Sequence, residues 1–351
     1  MQKIQDLRIK SLKHLPSPNM IASEYPIKEE LSNHITEYRK TIENILNGQD
    51  NRLIAIVGPC SIHDEKAAIE YAKMLKELSD KLSDKFFIVM RTYFEKPRTN
   101  LGWKGLILDP DLNETYDIEK GIKLARKILI QITDLGLPVG CEVLDPIIPQ
   151  YIDELISWSS IGARTTESQI HRNLASGLSV PVGFKNSTSG GISAAINAIK
   201  SASCSSSFIG INREGETVIL STTGNNACHI ILRGSDNGPN YYEDDIENVK
   251  RQMDKLELNK AIIVDCSHAN SKKDYRRQKR VLRNIIDHII WGEDSIKGFM
   301  LESNIYEGSQ SISATQDMKY GVSITDSCIS FSETEAILTR AHDLLLRGKD
   351  E

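Results

Sequence analysis

Residues 53–90 read LIAIVGPCSIHDEKAAIEYAKMLKELSDKLSDKFFIVM. An apolar run (LIAIVG, 53–58) exits through glycine and proline. A stretch of helix length follows (65–82), then a second apolar run (FFIVM, 86–90). Within the middle stretch Ala68, Tyr71, Ala72, Leu75 and Leu78 recur three and four residues apart, the spacing of one helix face. The flanking runs show no polar alternation, so they read as strands buried on both faces. Such strands belong to parallel sheets covered by helices.

The same unit recurs along the chain. Further apolar runs are PVGCEVL (138–144), SSIGAR (159–164), VPVGFK (180–185), HIILRG (229–234), AIIVDC (261–266) and IKGFMLE (296–302), which makes eight. A second amphipathic helix, IEKGIKLARKILIQITDLG (118–136), stops at a glycine. Eight strand–helix units fit an α/β fold of the (β/α)₈ TIM-barrel type, spanning residues 51–351. No GxGxxG follows the first strand, so an open dinucleotide-binding sheet lacks its fingerprint. Two pieces are additional. Residues 1–50 form an N-terminal extension with a helix, KEELSNHITEYRKTIENIL, closed by Asn47-Gly48. Residues 206–225 read as an inserted β-hairpin turning at Glu214-Gly215, between the fifth and sixth barrel strands. Decorations of this kind serve oligomer contacts or regulation, or simply add packing.

The totals narrow the classes. A net charge of -5 over 351 residues argues against a general polyanion binder. The basic stretch KKDYRRQKR (272–280) reads as a solvated helix face rather than a nucleic-acid site. No segment approaches the roughly 20 apolar residues of a membrane span, and the first twenty residues lack a signal-peptide core. Six cysteines without a CxxC pair suit a reducing cytoplasm.

In a barrel of this type chemistry sits where the strands end. The runs end on or near Gly58-Pro59-Cys60, Arg91, Glu142, Arg164, Lys185, Arg233, Asp265-Cys266-Ser267-His268 and Glu302, with Asp326 beyond. A polar residue at one strand exit is ordinary. Four cations (Arg91, Arg164, Lys185, Arg233) converging on one face of an acidic protein call for a counter-anion. Arginine forks match carboxylate and phosphate oxygens, so a small substrate carrying both groups would satisfy them. Lys96 and Arg98, in the loop EKPRTNLGWKG (95–105), would hold a second phosphate. Cys60, His268, Glu302 and Asp326 form a mixed sulfur, nitrogen and oxygen set suited to one divalent ion such as Mn²⁺, Fe²⁺, Co²⁺ or Zn²⁺. His63 and His171 are the rival histidines. Cys328, two residues past Asp326, is a candidate for oxidative pairing with Cys60.

The motifs GPCSIHD (58–64), RTYFEKPRT (91–99), GWKG (102–105), GARTTESQ (162–169), PVGFKN (181–186), ILRG (231–234), DCSHAN (265–270) and SITD (323–326) stand in order along the chain. Together they resemble the microbial type I 3-deoxy-D-arabino-heptulosonate 7-phosphate synthases, most closely the feedback-regulated bacterial isozymes. The resemblance implies condensation of phosphoenolpyruvate with erythrose 4-phosphate and release of phosphate, the first step of the shikimate pathway. It implies Cys60, His268, Glu302 and Asp326 as ligands of a divalent metal that polarises the aldehyde oxygen. Arg91, Arg164, Lys185 and Arg233, with the backbone of Gly162 and Ala163, would hold phosphoenolpyruvate. Lys96, Pro97, Arg98 and Thr99 would seat erythrose 4-phosphate. Lys96 is expected to protonate the nascent alkoxide and Glu142 to orient the attacking water.

Asn100, Ser187 and Ser235 depart from the family pattern and bear on loop geometry near the substrate. The resemblance also implies a homodimer or homotetramer and an aromatic amino acid effector, tyrosine, tryptophan or phenylalanine. Asp6, Leu7, Ile9, Pro146, Gln150 and Ser179, with hairpin residues 208–220, would line the effector pocket. A related synthase taking another phosphosugar is the nearest alternative, and a nucleic-acid-binding barrel is the alternative from a different class.

Overall fold

In the computed structural model, which describes residues 4–98, 100–312 and 318–348, the run Leu53–Gly58 forms strand β1. Its side chains alternate across the sheet. Leu53, Ala55 and Val57 pack outward with the helices, and Ile54 and Ile56 pack inward. Both faces are buried, which is why the run carries no polar alternation.

The remaining barrel strands are β2 (Phe86–Arg91), β3 (Val139–Val143), β4 (Trp158–Ile161), β5 (Val182–Lys185), β8 (Cys228–Leu232), β9 (Ile262–Asp265) and β10 (Ile296–Asn304). They pair in parallel in the order β1-β2-β3-β4-β5-β8-β9-β10, and β1 pairs β10 to close the cylinder. The expected (β/α)₈ barrel is therefore present. Outside it run α3 (Glu65–Lys81), α4 (Ile118–Asp134), α5 (Pro149–Ile152), α6 (Gln169–Ala175), α7 (Ile192–Ala202), α8 (Glu243–Asp254), α9 (Gln278–Ile290) and α10 (Phe331–Arg347). Helix α3 buries Ala68, Tyr71, Ala72, Leu75 and Leu78 on its sheet-facing side, and Asp64 caps its start by accepting from the Ala67 N–H. A short β11 (Ile329–Ser330) runs parallel to the end of β10.

Before the barrel lie α1 (Pro18–Glu24) and α2 (Glu29–Leu46). The C-terminal half of helix α2 reaches the barrel's interior, where Ile42, Ile45 and Leu46 share one cluster with Ile54, Ile56, Trp158, Ile263 and Met300. It closes the end of the cylinder opposite the strand exits, where Asn259 Nδ2 donates to Leu46 O at 3.0 Å. The hairpin is antiparallel β6 (Ser206–Ile211) and β7 (Thr217–Thr222), turning at Gly215. Among the described residues no helix is long and apolar enough to cross a membrane.

Three expected strand ends move: the last barrel strand continues two residues past Glu302, to Asn304, and two others stop early. The strand in SSIGAR stops at Ile161, because Gly162 O accepts from the N–H groups of Thr165 and Thr166 and turns the chain. Arg164 thus rides on a turn. The strand in HIILRG stops at Leu232, one residue before Arg233.

Deep in the barrel, Trp158 Nε1 donates to His229 Nε2 at 3.1 Å, and both side chains are fully buried. Burial pushes the imidazole down to about 4. An unfolded chain takes up this proton near pH 6.5, whereas the folded one resists until about pH 4. Stability from this group is complete above pH 6.5 and is lost as pH falls. We expect the stability margin of the native chain over His229→Gln to shrink by about 2 kcal/mol between pH 7 and pH 5. Urea unfolding at the two pH values measures it, and a constant margin would contradict the assignment.

Candidate active site

Strand register builds the site. Gly58 sits opposite Glu302 in the β1–β10 pairing, so the Pro59-Cys60 exit lies beside the Glu302 carboxylate. After β10 the chain returns through a bridge between Gly308 and Cys328, which carries Asp326 to the same place. Cys60 Sγ is 3.7 Å from Asp326 Oδ2, and one donor atom each from Cys60, Glu302 and Asp326 lie within 4.8 Å of one another. His268 stands outside that close group, with Nε2 3.9 Å from Glu302 Oε1. Its Nδ1 lies 2.8 Å from Ser267 Oγ and 2.9 Å from Asp265 Oδ2, which fixes the ring with Nε2 towards Glu302. The His268 backbone is left-handed at φ 53°, a conformation uncommon outside glycine. Of the rival histidines, His171 is held by Ser168 Oγ and Leu144 O, away from this group.

A thiol and two carboxylates packed together oppose each other's ionisation. Burial pushes the Cys60 thiol up to about 11, and Glu302 adds to the rise. Such a donor set fits a divalent cation of the borderline class. The protein's own cation there is Lys96, whose Nζ lies 3.1 Å from Cys60 Sγ and 3.2 Å from Cys60 O. Burial works against the Lys96 charge, but Cys60, Glu302, Glu142 and Asp326 outweigh it and hold the ammonium above its ordinary value.

The cations share the same cavity, about 930 Å³ at the strand exits. Lys96, Arg98, Arg164, Lys185 and Arg233 line it, with Pro97, Gly162 and Ala163. Glu142, His268, Glu302 and Asp326 complete the wall. Arg91 is buried beneath, with Nη2 3.2 Å from Glu302 Oε1 and Nε 3.4 Å from Pro59 O. Lys185 Nζ lies 3.5 Å from Asp265 Oδ2 and 3.7 Å from Glu142 Oε2. The cavity thus interleaves fixed charges of both signs. Thr99 lies outside the described residues.

The loop EKPRTNLGWKG folds on itself. Lys96 N donates to Lys104 O at 2.9 Å, and Arg98 Nε to Trp103 O at 2.8 Å. Gly105 permits this, since a Cβ there would lie 2.1 Å from Phe94 O. Lys96 and Arg98 face the cavity and Lys104 is exposed, away from it.

The basic stretch 272–280 is largely the solvated helical face expected, with a 3₁₀ turn over Tyr275–Arg277 and exposed Lys272, Arg276, Arg277, Lys279 and Arg280, but two of its residues do more. Helix α9 begins only at Gln278, which is buried and bonds the Glu302 backbone in both directions. Lys273 and Tyr275, ahead of it, line the cavity mouth rather than a solvated helix face. Tyr93 and Glu95 were also missed: both are buried, inside RTYFEKPRT, where no charge pattern or spacing marked them. Glu95 accepts from Asp145 N at 3.3 Å, and burial reinforced by Asp145 pushes its carboxyl up to about 8.

The candidate effector residues are not gathered in one place. Pro146 lies between β3 and α5, and Gln150 lies within α5. There Tyr151 donates to Pro16 O, and Asn19 N donates to Arg213 O at the hairpin tip. Asp6, Leu7 and Ile9 are exposed. Ser179 lines a separate cavity of about 330 Å³ with Glu43, Asn47 and Asn225.

A closed (β/α)₈ barrel with a cavity at its strand exits lined by cations and carboxylates, and a buried thiol against those carboxylates, is that of a barrel enzyme acting on small anions. A model described as the DAHP synthetase I family matches residues 24–339, and the chain belongs to this family. It is 47% identical over 345 residues to the Tyr-sensitive phospho-2-dehydro-3-deoxyheptonate aldolase of Escherichia coli K12, covering 97% of each chain. It is 48% identical over 333 residues to the Phe-sensitive enzyme of the same organism, covering 95% of each. The solved structure of the Francisella tularensis SCHU S4 aldolase superposes with a TM-score of 0.94 at 44% identity, covering 96% of this chain and 98% of that one.

A Cβ on Gly162 would lie 2.8 Å from Glu142 Oε1. Gly162→Ala should therefore displace the Glu142 carboxylate and cost on the order of 10²-fold in turnover. The melting temperature should hold, because the clash falls on the end of a side chain. Steady-state rates and thermal melts on one preparation check both halves.

Proposed function

We infer that the chain condenses phosphoenolpyruvate with D-erythrose 4-phosphate and water, giving 3-deoxy-D-arabino-heptulosonate 7-phosphate and phosphate. The observation that carries the reading is the meeting, at one 930 Å³ cavity, of cations with Glu302 and Asp326, behind which the buried Cys60 completes a close donor group. Lys185, Arg164 and Arg233, with Arg91 behind them and the backbone of Gly162 and Ala163 beside them, suit the carboxylate and phosphate of phosphoenolpyruvate. Lys96, Pro97, Arg98 and Thr99 suit the second substrate, erythrose 4-phosphate. Cys60, His268, Glu302 and Asp326 would hold one divalent ion of the Mn²⁺, Fe²⁺, Co²⁺ or Zn²⁺ group. When bound, that ion supplies Lewis-acid polarisation of the aldehyde oxygen.

The chain's own groups supply the rest. Attack of the enol carbon on the aldehyde forms the new C–C bond and leaves an alkoxide. Lys96, 3.1 Å from Cys60 Sγ, stands where it can give that oxygen a proton. Positive charge then develops at the former enol carbon, beside the fixed carboxylate of Glu142. Water adds there and passes a proton to Glu142. The hemiketal oxygen closes to the ketone as the C–O bond to phosphate breaks, its proton leaves with the phosphate, and the released hydrogen phosphate dianion is balanced by the surrounding cations.

Phosphorylated substrates do not cross membranes freely, so cytoplasmic residence belongs to this reading. Regulation by tyrosine, phenylalanine or tryptophan is proposed through Asp6, Leu7, Ile9, Pro146, Gln150 and Ser179. A homodimer or homotetramer using residues 1–50 and the hairpin would bring the exposed Leu7 and Ile9 against a second copy. Ile209 and Ile219, exposed and paired across the hairpin, support that arrangement.

Phosphate release after strict chelation, with both substrates and with or without Mn²⁺, tests the reaction. Release should need both substrates and the ion. Release by either substrate alone would overturn the condensation. Lys96→Met should lower kcat by about 10²–10⁴-fold while the binding of phosphoenolpyruvate, read by calorimetry, stays within a few-fold. Titrating the three aromatic amino acids in the phosphate assay should identify one inhibitor, and Gln150→Ala should weaken its effect by at least severalfold.

A further inference from the structure

Tyr93 lies two residues beyond the end of β2, is 2% exposed, and belongs to the barrel-interior cluster. The guanidinium carbon of Arg91 stands 4.0 Å from its ring centroid, and Lys185 Nζ stands 5.8 Å from the same centroid. Both distances fall within the reach of a cation–π contact. The Tyr93 hydroxyl shares a 2.8 Å hydrogen bond with Ser160 Oγ, which fixes the ring. Two cations assigned to phosphoenolpyruvate thus rest on one aromatic ring.

The chemistry of that support is specific. Arg91 and Lys185 are both nearly fully buried, and Arg91 Nη1 is buried without a hydrogen-bond partner. A further carboxylate in place of the ring would neutralise the pair and compete with an incoming anion. An aliphatic side chain would offer nothing to two desolvated charges. A ring face attracts cations without occupying their N–H groups. We propose that Tyr93 is a positioning residue: one ring that holds Arg91 and Lys185 in place for the anionic substrate. The proposal rests on the assignment of those cations to phosphoenolpyruvate.

The test compares members of one phenylalanine series, all lacking the hydroxyl bond to Ser160, so that ring shape is kept and the quadrupole alone varies between them. Phenylalanine and its mono-, di- and trifluorinated analogues are placed at position 93 of the full chain. Calorimetry reads the affinity for phosphoenolpyruvate and, in parallel, for inorganic phosphate. Affinity should fall in steps with fluorine count, approaching about 30-fold at three fluorines. KM for phosphoenolpyruvate should rise in step, while kcat and Mn²⁺ affinity by chelator competition stay level. A packing role would not follow the fluorine count. Equal affinity across the series for both anions would overturn the role of Tyr93, as would a fall in kcat at constant KM. Stepwise weakening for phosphate, in a protein whose native form fails to bind phosphoenolpyruvate, would keep the role of Tyr93 and overturn the substrate reading instead.

Discussion

The closing pair β1–β10 is the constraint on which the rest depends. Its register sets Gly58 against Glu302, Val57 against Leu301 and Ile54 against Gly298. A slip by one residue would turn Ile54 and Ile56 out of the barrel and Ala55 and Val57 into it. Gly298 holds the register locally, since a Cβ there would lie 2.2 Å from Ile54 O. With the cylinder closed, residues almost 270 positions apart, Cys60 and Asp326, meet within hydrogen-bonding range of sulfur. Closure is therefore a condition of the site as well as of the core. The metal-type donors come from the first strand exit, the last one, and the segment that returns to the last one.

Once those donors meet, charge balance governs what surrounds them. Arg91 with Glu302 and Lys185 with Asp265 are buried ion pairs. Such pairs cost desolvation and contribute little net stability. Their use here is arrangement. Charges already stripped of water and fixed in place need no reorganisation when an anion arrives. The opposing terms show in the groups themselves: burial alone would raise the Asp265 carboxyl, but His268 and Lys185 hold it well below the ordinary carboxylate range.

Much of this was legible in the sequence because the physical signals are local. Unbroken apolar runs report strands buried on two faces, and the residues closing those runs report what the strand exits present. Arg91, Glu142 and Lys185 are the residues that strand geometry alone places at the exits. Arg164 was read correctly as a cavity residue but for a wrong reason, since the turn at Gly162, not a strand, carries it. Lys273 and Tyr275 were hidden by a basic composition that resembles a solvated helix. They stand at and just before the 3₁₀ turn Tyr275–Arg277 that leads into α9, whose first residue, Gln278, is tied to the Glu302 backbone. Tyr93 could not be found by pattern at all, because an aromatic residue after a strand reads as core until two cations are seen against its ring.

The elements outside the barrel are joined to the cavity by continuous contacts. Arg213 at the hairpin tip reaches Asp153 and Glu154, and Arg126 of α4 binds Glu154 and Tyr151 O. Arg39 of α2 binds Ile156 O and Asp153 O, so hairpin, α2, α4 and the end of α5 share one polar cluster. Helix α5 is entered through residues 145–148, and the first N–H of that segment is held by Glu95. Glu95 directly precedes Lys96, which touches Cys60. A rigid shift of α5 would therefore pull on the backbone that carries Lys96 and Arg98, through contacts that are all packed or hydrogen-bonded. Coupling in proteins needs such contiguous contacts together with a second arrangement of the same elements. The first requirement is met here by named bonds. Pro146, next to Asp145, and Gln150, inside α5, stand on this chain of contacts, whereas Ser179 lines a separate cavity.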